Sequence, residues 1–144
     1  SEPEFLDGSL EALKVISEKG YQIIIITNQY LINDGIITLS QYKIFTEKLL
    51  QKLNNNEIDI LDTFYCPHSR RENCNCFKPK TGLVDMALKK YPYIELDKSF
   101  IVGDSISDVE LGNKFDVMSF GINVSSGLFN YTPIKSLLDI IKYV

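Results

Sequence analysis

Of thiol and imidazole groups the chain has few: three cysteines and one histidine among 144 residues. An odd number of thiols cannot pair off into disulfides, and Ser1–Ser9 (SEPEFLDGS) shows neither the basic nor the apolar region of a secretory leader. A disulfide-stapled domain is therefore not expected, and a reducing, cytoplasmic location is. No apolar run approaches the roughly 20 residues that cross a bilayer, so no membrane partner is expected. Positive charge is in deficit: 15 Lys and Arg stand against 19 Asp and Glu, a net charge of −4, which argues against broad affinity for nucleic acid. There is also no internal repeat, low-complexity tract or linker, and Asn54-Asn55-Asn56 reads as a helix end. With 44% hydrophobic and 24% charged residues, the expectation is one domain over residues 1–144, a monomer acting on a small molecule.

The scarce ligand types are not scattered. Cys66, His68, Cys74 and Cys76 all fall in Tyr65–Gly82 (YCPHSRRENCNCFKPKTG) as two pairs, each with one residue between its members. Four such donors are what a closed tetrahedral Zn2+ site needs, so residues 65–80 read as a structural zinc loop. A closed site leaves no position for a substrate; its task is to stiffen the loop and aim the segment beyond it. That segment is Lys78-Pro79-Lys80-Thr81-Gly82, and an ammonium held in place suits a phosphoryl oxygen.

Along the chain, Gly8–Gly20 reads as a helix and Tyr21–Ile26 as a β-branched strand, apolar on both faces like a central strand of a parallel sheet. That strand ends in Thr27-Asn28-Gln29, and Asp34-Gly35 marks a turn. Thr38-x-x-Gln41 resembles a capping box opening a helix to about Asn54. Ile58–Tyr65 is a second strand, Thr81–Tyr91 a helix, Ser99–Gly103 a third strand, and Ser107-x-x-Glu110 opens a helix to about Phe115. Val117–Val124 is a fourth strand, and Pro133 suits the first position of a closing helix, Ile134–Tyr143. This alternation predicts an α/β fold, a parallel sheet with helices on both faces.

Ligands of such sheets bind beyond the carboxyl ends of strands. Three strand ends carry suitable groups: Thr27-Asn28, Lys78 by way of the zinc loop, and Asp104 with Asp108 one helical turn on. Hydroxyl, amide and ammonium donors suit a phosphate, and the two carboxylates suit a hard Mg2+ ion. The expectation is that the three ends meet at one rim.

Thr27-Asn28-Gln29 after an isoleucine strand, Cys-Pro-His…Cys-x-Cys, Lys-Pro-x-x-Gly and Val-Gly-Asp-Ser-x-x-Asp succeed one another as in one branch of the haloacid dehalogenase (HAD) superfamily. Nearly the whole chain resembles that branch, which contains the heptose-1,7-bisphosphate and histidinol-phosphate phosphatases. The resemblance implies a Rossmann-like fold and Mg2+-dependent hydrolysis of a phosphate monoester through a phospho-aspartyl intermediate. Thr27 and Asn28 would hold the phosphoryl group, Lys78 would neutralise its oxygens, Asp104 would ligate Mg2+, and Asp108 lies on the same motif. The substrate implied is a sugar phosphate, a heptose bisphosphate before histidinol phosphate; a catalytically dead binding module is the alternative.

Two departures stand out. Phe77 occupies the place of the family's arginine before Lys-Pro, so a bidentate phosphate or sugar contact is lost. The family's first strand, ending in the nucleophilic Asp-x-Asp-Gly, has no counterpart: Ser1–Leu6 is too short and polar for a central strand, and Asp7 reads as a helix-start residue. The chain is thus expected to be an N-terminally shortened piece, inactive by itself, with backbone edges left unpaired where that strand belongs.

Overall fold

Thr38 and Gln41 form the capping box that their spacing predicts. Thr38 Oγ1 accepts from the Gln41 N–H at 3.0 Å, and Gln41 Oε1 accepts from the Thr38 N–H at 2.8 Å. The computed structural model describes residues 3–6, 8–69 and 71–144; Asp7 lies outside the described residues, and so does its expected role. The chain forms two compact units, Ser1–Cys74 with Val144, and Asn75–Tyr143.

The first unit contains α1 (Ser9–Glu18), β1 (Ile23–Asn28), α2 (Leu39–Asn55) and β2 (Ile60–Cys66). β1 and β2 are parallel, with Thr27 opposite Tyr65 and Asn28 opposite Cys66, so both strands deliver their polar ends side by side. Ala12 and Ile16 of α1, Tyr42 and Leu53 of α2, and Phe64 of β2 are buried. Residues 3–6 form no strand, in keeping with their polar sequence.

The second unit contains α3 (Gly82–Lys90), β3 (Phe100–Gly103), α4 (Ile106–Lys114), β4 (Met118–Ile122) and β5 (Thr132–Ile134), with 3-10 turns at Leu96–Lys98 and Leu137–Lys142. Its sheet is parallel in the order β3-β4-β5, and α4 packs on β3 and β4. Phe120 of β4 is 1% exposed and meets Phe100 edge-on at 5.6 Å and Tyr143 at 5.5 Å.

Four expectations need correction. The box opening α4 uses Ser105 and Asp108 rather than Ser107 and Glu110: extended backbone at Ser105 places its N–H and Oγ to donate to Asp108 Oδ2 at 3.2 and 2.9 Å. Pro133 does not start a helix but lies in β5, opposite Gly121, on an edge strand where a missing N–H costs no ladder bond. The closing helix is therefore the short 3-10 turn. It begins after Ser136, with Asp139 accepting from the Lys135 and Ser136 N–H groups; the Lys135 bond foremost holds its carboxyl below the usual range.

The fourth concerns burial. Tyr21–Ile26 reads as a central strand apolar on both faces, yet β1 is only half-buried, as is β3. Among the described residues, β1 pairs only with β2 and β3 only with β4, so each sheet ends on an apolar strand with one edge unpaired.

Candidate active site and metal centre

The loop after β2 folds its soft ligands inward. Cys66 Sγ lies 3.3 Å from His68 Nδ1 and 3.6 Å from Cys74 Sγ, and the ligand atoms of Cys66, His68, Cys74 and Cys76 all lie within 4.8 Å of one another. A tetrahedron with Zn–S bonds of about 2.3 Å has edges of about 3.8 Å, so both spacing and donor chemistry fit such an ion. Spacing alone could not say which imidazole nitrogen faces the cluster; the structure turns Nδ1 toward it.

This loop is also tied to the segment after β1. Gln29 N–H donates to the Cys66 carbonyl at 2.6 Å and Asn33 N–H to the Pro67 carbonyl at 3.2 Å. The Asn33 amide donates to both Glu72 oxygens at 3.2 and 3.0 Å, and Glu72 also accepts from the Ser69 N–H at 2.7 Å. The Asn33 amide, and then the Ser69 N–H, hold the Glu72 carboxyl below the usual range. Sequence reasoning found only a turn at Asp34-Gly35; partners 39 positions apart leave no periodic signal.

Thr27 and Asn28 stand at the carboxyl end of β1, beside Cys66. Thr27 lines a cleft of about 470 Å3 between α2 and the β1–β2 sheet, whose walls include Ile25, Tyr42, Phe45, Leu49 and Thr63. Burial pushes the Tyr42 phenol up.

In the second unit, Lys78 Nζ lies 2.7 Å from Asp108 Oδ1, with the side chains 13% and 9% exposed. Asp108 Oδ2 is meanwhile held by Ser105, so both its oxygens are engaged. Asp104 is different: its carboxylate is exposed and has no side-chain partner among the described residues. Of the pair read as Mg2+ ligands, Asp104 has the free oxygens that such an ion needs, whereas Asp108 fixes the ammonium. Cys76, Lys78, Asp104 and Asp108 belong to the unit Asn75–Tyr143, where Lys78 and Asp108 meet, and Thr27, Asn28, Cys66, His68 and Cys74 belong to the other.

Two glycines make room for these contacts. A Cβ on Gly103 would overlap the Asp108 carboxylate, and one on Gly82 would overlap the Asn75 carbonyl and the Cys76 backbone. Gly103→Ala is therefore expected to push Asp108 off Ser105 and Lys78, at about 1–3 kcal/mol, read as a lower urea midpoint with unchanged slope.

Known proteins place the chain. The family described as polynucleotide kinase 3 phosphatase matches residues 4–124. The D-glycero-alpha-D-manno-heptose-1,7-bisphosphate 7-phosphatase of Photorhabdus laumondii is 37% identical over 118 residues, 77% of this chain and 64% of that protein. The probable D-glycero-D-manno-heptose-1,7-bisphosphate 7-phosphatase of Thermoplasma volcanium is 40% identical over 96 residues, 67% of this chain and 65% of that protein. The chain thus spans just under two thirds of these relatives. Among solved structures, D,D-heptose 1,7-bisphosphate phosphatase from B. bronchiseptica, complexed with magnesium and phosphate, aligns with TM-score 0.86 at 20% identity, over 96% of this chain and 82% of that one. A putative HAD-like phosphatase from Mesorhizobium loti aligns with TM-score 0.80 at 19% identity, over 97% of this chain and 75% of that one. With the match over residues 4–124 and these folds, the chain belongs to the polynucleotide kinase 3 phosphatase family and has the α/β fold of the HAD phosphatases.

Proposed function

We propose that this chain is the larger part of a Mg2+-dependent phosphate-monoester hydrolase whose substrate is D-glycero-D-manno-heptose 1,7-bisphosphate, cleaved at the 7-phosphate. The observation that carries the reading is the Lys78–Asp108 pair, an ammonium fixed 2.7 Å from a largely buried carboxylate, in the same unit as the exposed Asp104, whose carboxylate has no side-chain partner among the described residues. The names of the relatives from Photorhabdus and Thermoplasma support the sugar substrate. So does the net charge of −4, which offers no stripe for tracking a polynucleotide.

In this reading Thr27 and Asn28 donate to phosphoryl oxygens, and Lys78, held by Asp108, offsets the charge that develops on them. Asp104 is the carboxylate ligand of Mg2+, which when bound neutralises phosphate charge. Cys66, His68, Cys74 and Cys76 hold Zn2+ and stiffen the loop that leads to Lys78. The nucleophilic aspartate comes from a strand outside these residues, forming one catalytic domain with them; the unpaired edges of β1 and β3, each in its own unit, support that. A cytoplasmic, monomeric enzyme of surface-polysaccharide precursor assembly is the expected setting.

The test is phosphate release, with Mg2+, by the protein made from its complete natural coding sequence. Heptose bisphosphate is expected to be turned over faster than histidinol phosphate or a 3′-phosphorylated oligonucleotide, and residues 1–144 alone are expected to release none. If the complete protein hydrolyses no sugar bisphosphate or aminoalcohol phosphate, the enzyme reading fails. Phe77, half-buried where an arginine is usual in the branch, makes a binding module the reading that would then remain.

A further inference from the structure

Gln29 closes the Thr-Asn-Gln run, and the function just proposed gives it no part. Both its backbone and its side chain are engaged. The backbone N–H donates to the Cys66 carbonyl at 2.6 Å, fastening residue 29 to the end of β2. From that anchor the side chain reaches back, and its Nε2 donates to Thr27 Oγ1 at 3.1 Å.

A threonine hydroxyl has one proton to donate and two lone pairs that accept. An amide N–H on one lone pair turns the O–H proton away from Gln29. The acceptor it then has is the Asn28 carbonyl, at 3.4 Å. That is far beyond the roughly 2.7–2.8 Å of a strong O–H···O bond, so the contact is weak and readily exchanged for a better one. An ionised phosphoryl oxygen is such an acceptor and donates nothing, so Thr27 can bind it only as a donor.

We propose that Gln29 is a positioning residue: it fixes Thr27 as a hydrogen-bond donor toward a phosphoryl oxygen, and the Cys66 carbonyl holds Gln29 in place to do so. The inference rests on Thr27 being a phosphate contact. It adds that the polarity of this contact is set by a neighbour rather than by threonine itself.

Three variants of the complete natural protein test it: Gln29→Leu, Gln29→Glu and Thr27→Val. The readouts are kcat, KM, the inhibition constant of inorganic phosphate, and the melting temperature. Gln29→Leu frees the hydroxyl rotor and is expected to weaken phosphate inhibition roughly three- to tenfold. Gln29→Glu keeps the shape but takes the Thr27 proton, leaving lone pairs to face the phosphate; a loss of roughly ten- to a hundredfold is expected, with melting little changed. In the Thr27→Val background the Gln29→Leu effect should vanish and the Gln29→Glu effect should shrink, the coupling expected of residues that act through one hydroxyl. Equal effects with and without the hydroxyl, or no difference between Gln29→Glu and the natural protein, overturn the positioning role while the phosphatase reading stands. A natural protein that neither releases nor binds phosphate overturns both.

Discussion

Stripping the metal from Cys66, His68, Cys74 and Cys76 is expected to lower the melting temperature of the complete protein by on the order of 10 °C. Binding to the folded state alone stabilises it by about 4 kcal/mol when the metal is a thousandfold above its Kd, and about 2–4 °C accompanies each kcal/mol in a protein of this size class. The ligand atoms, within 4.8 Å of one another, leave three thiols and an imidazole crowded together when no ion offsets their lone pairs. The loss should spread along the bonds from Gln29 to Cys66, Asn33 to Pro67 and Asn33 to Glu72. Hydrogen exchange is expected to quicken at residues 29–37 as well as 66–76, and Cys66→Ser should reproduce both effects. An unchanged melting curve after chelation, with metal loss verified by elemental analysis, would rule out a structural metal.

The second large effect lies at Lys78. Lys78→Ala removes the partner of a carboxylate that is 9% exposed, and an uncompensated buried charge of this kind costs about 3–5 kcal/mol. Turnover is expected to fall by a further factor of about 10²–10³, the loss typical of one donor to developing oxyanion charge. Stability and chemistry can be separated. The double variant Lys78→Met, Asp108→Asn removes both charges while the amide oxygen introduced at position 108 can still accept from Ser105, and should regain much of the stability, since a buried charge is no longer left uncompensated. Its turnover should stay lost. If Lys78→Ala keeps near-natural turnover, Lys78 has no role at the phosphate, however well it is buried.

Local chemistry was legible in the linear chain. The Thr38–Gln41 box, the helices near residues 9–18 and 82–90, and the isoleucine strand all rest on neighbours within four positions, and each forms where its pattern predicts. The four candidate metal ligands were legible because rare residue types clustered within eleven positions. Pro133 misled because a fixed φ suits an edge strand as well as a first helical turn, and only pairing with Gly121 decides between them. Ser107 misled because its spacing to Glu110 fits a capping box, but Asp108 lies against the strand end at Gly103 and accepts from Ser105, which makes Ser105 the cap.

By itself, then, the order of residues determined most of the element types, the cluster of candidate metal ligands and which side chains could handle phosphate, because those depend on periodicity and donor chemistry. Tertiary structure decided what each polar group is committed to. Asp108 holds Lys78 across 30 positions, whereas Asp104, four residues before it, keeps its oxygens free; Gln29 reaches Cys66 and aims Thr27. Such commitments depend on which atoms come within about 3 Å, and that distance is set only when the strands and loops that carry them are packed.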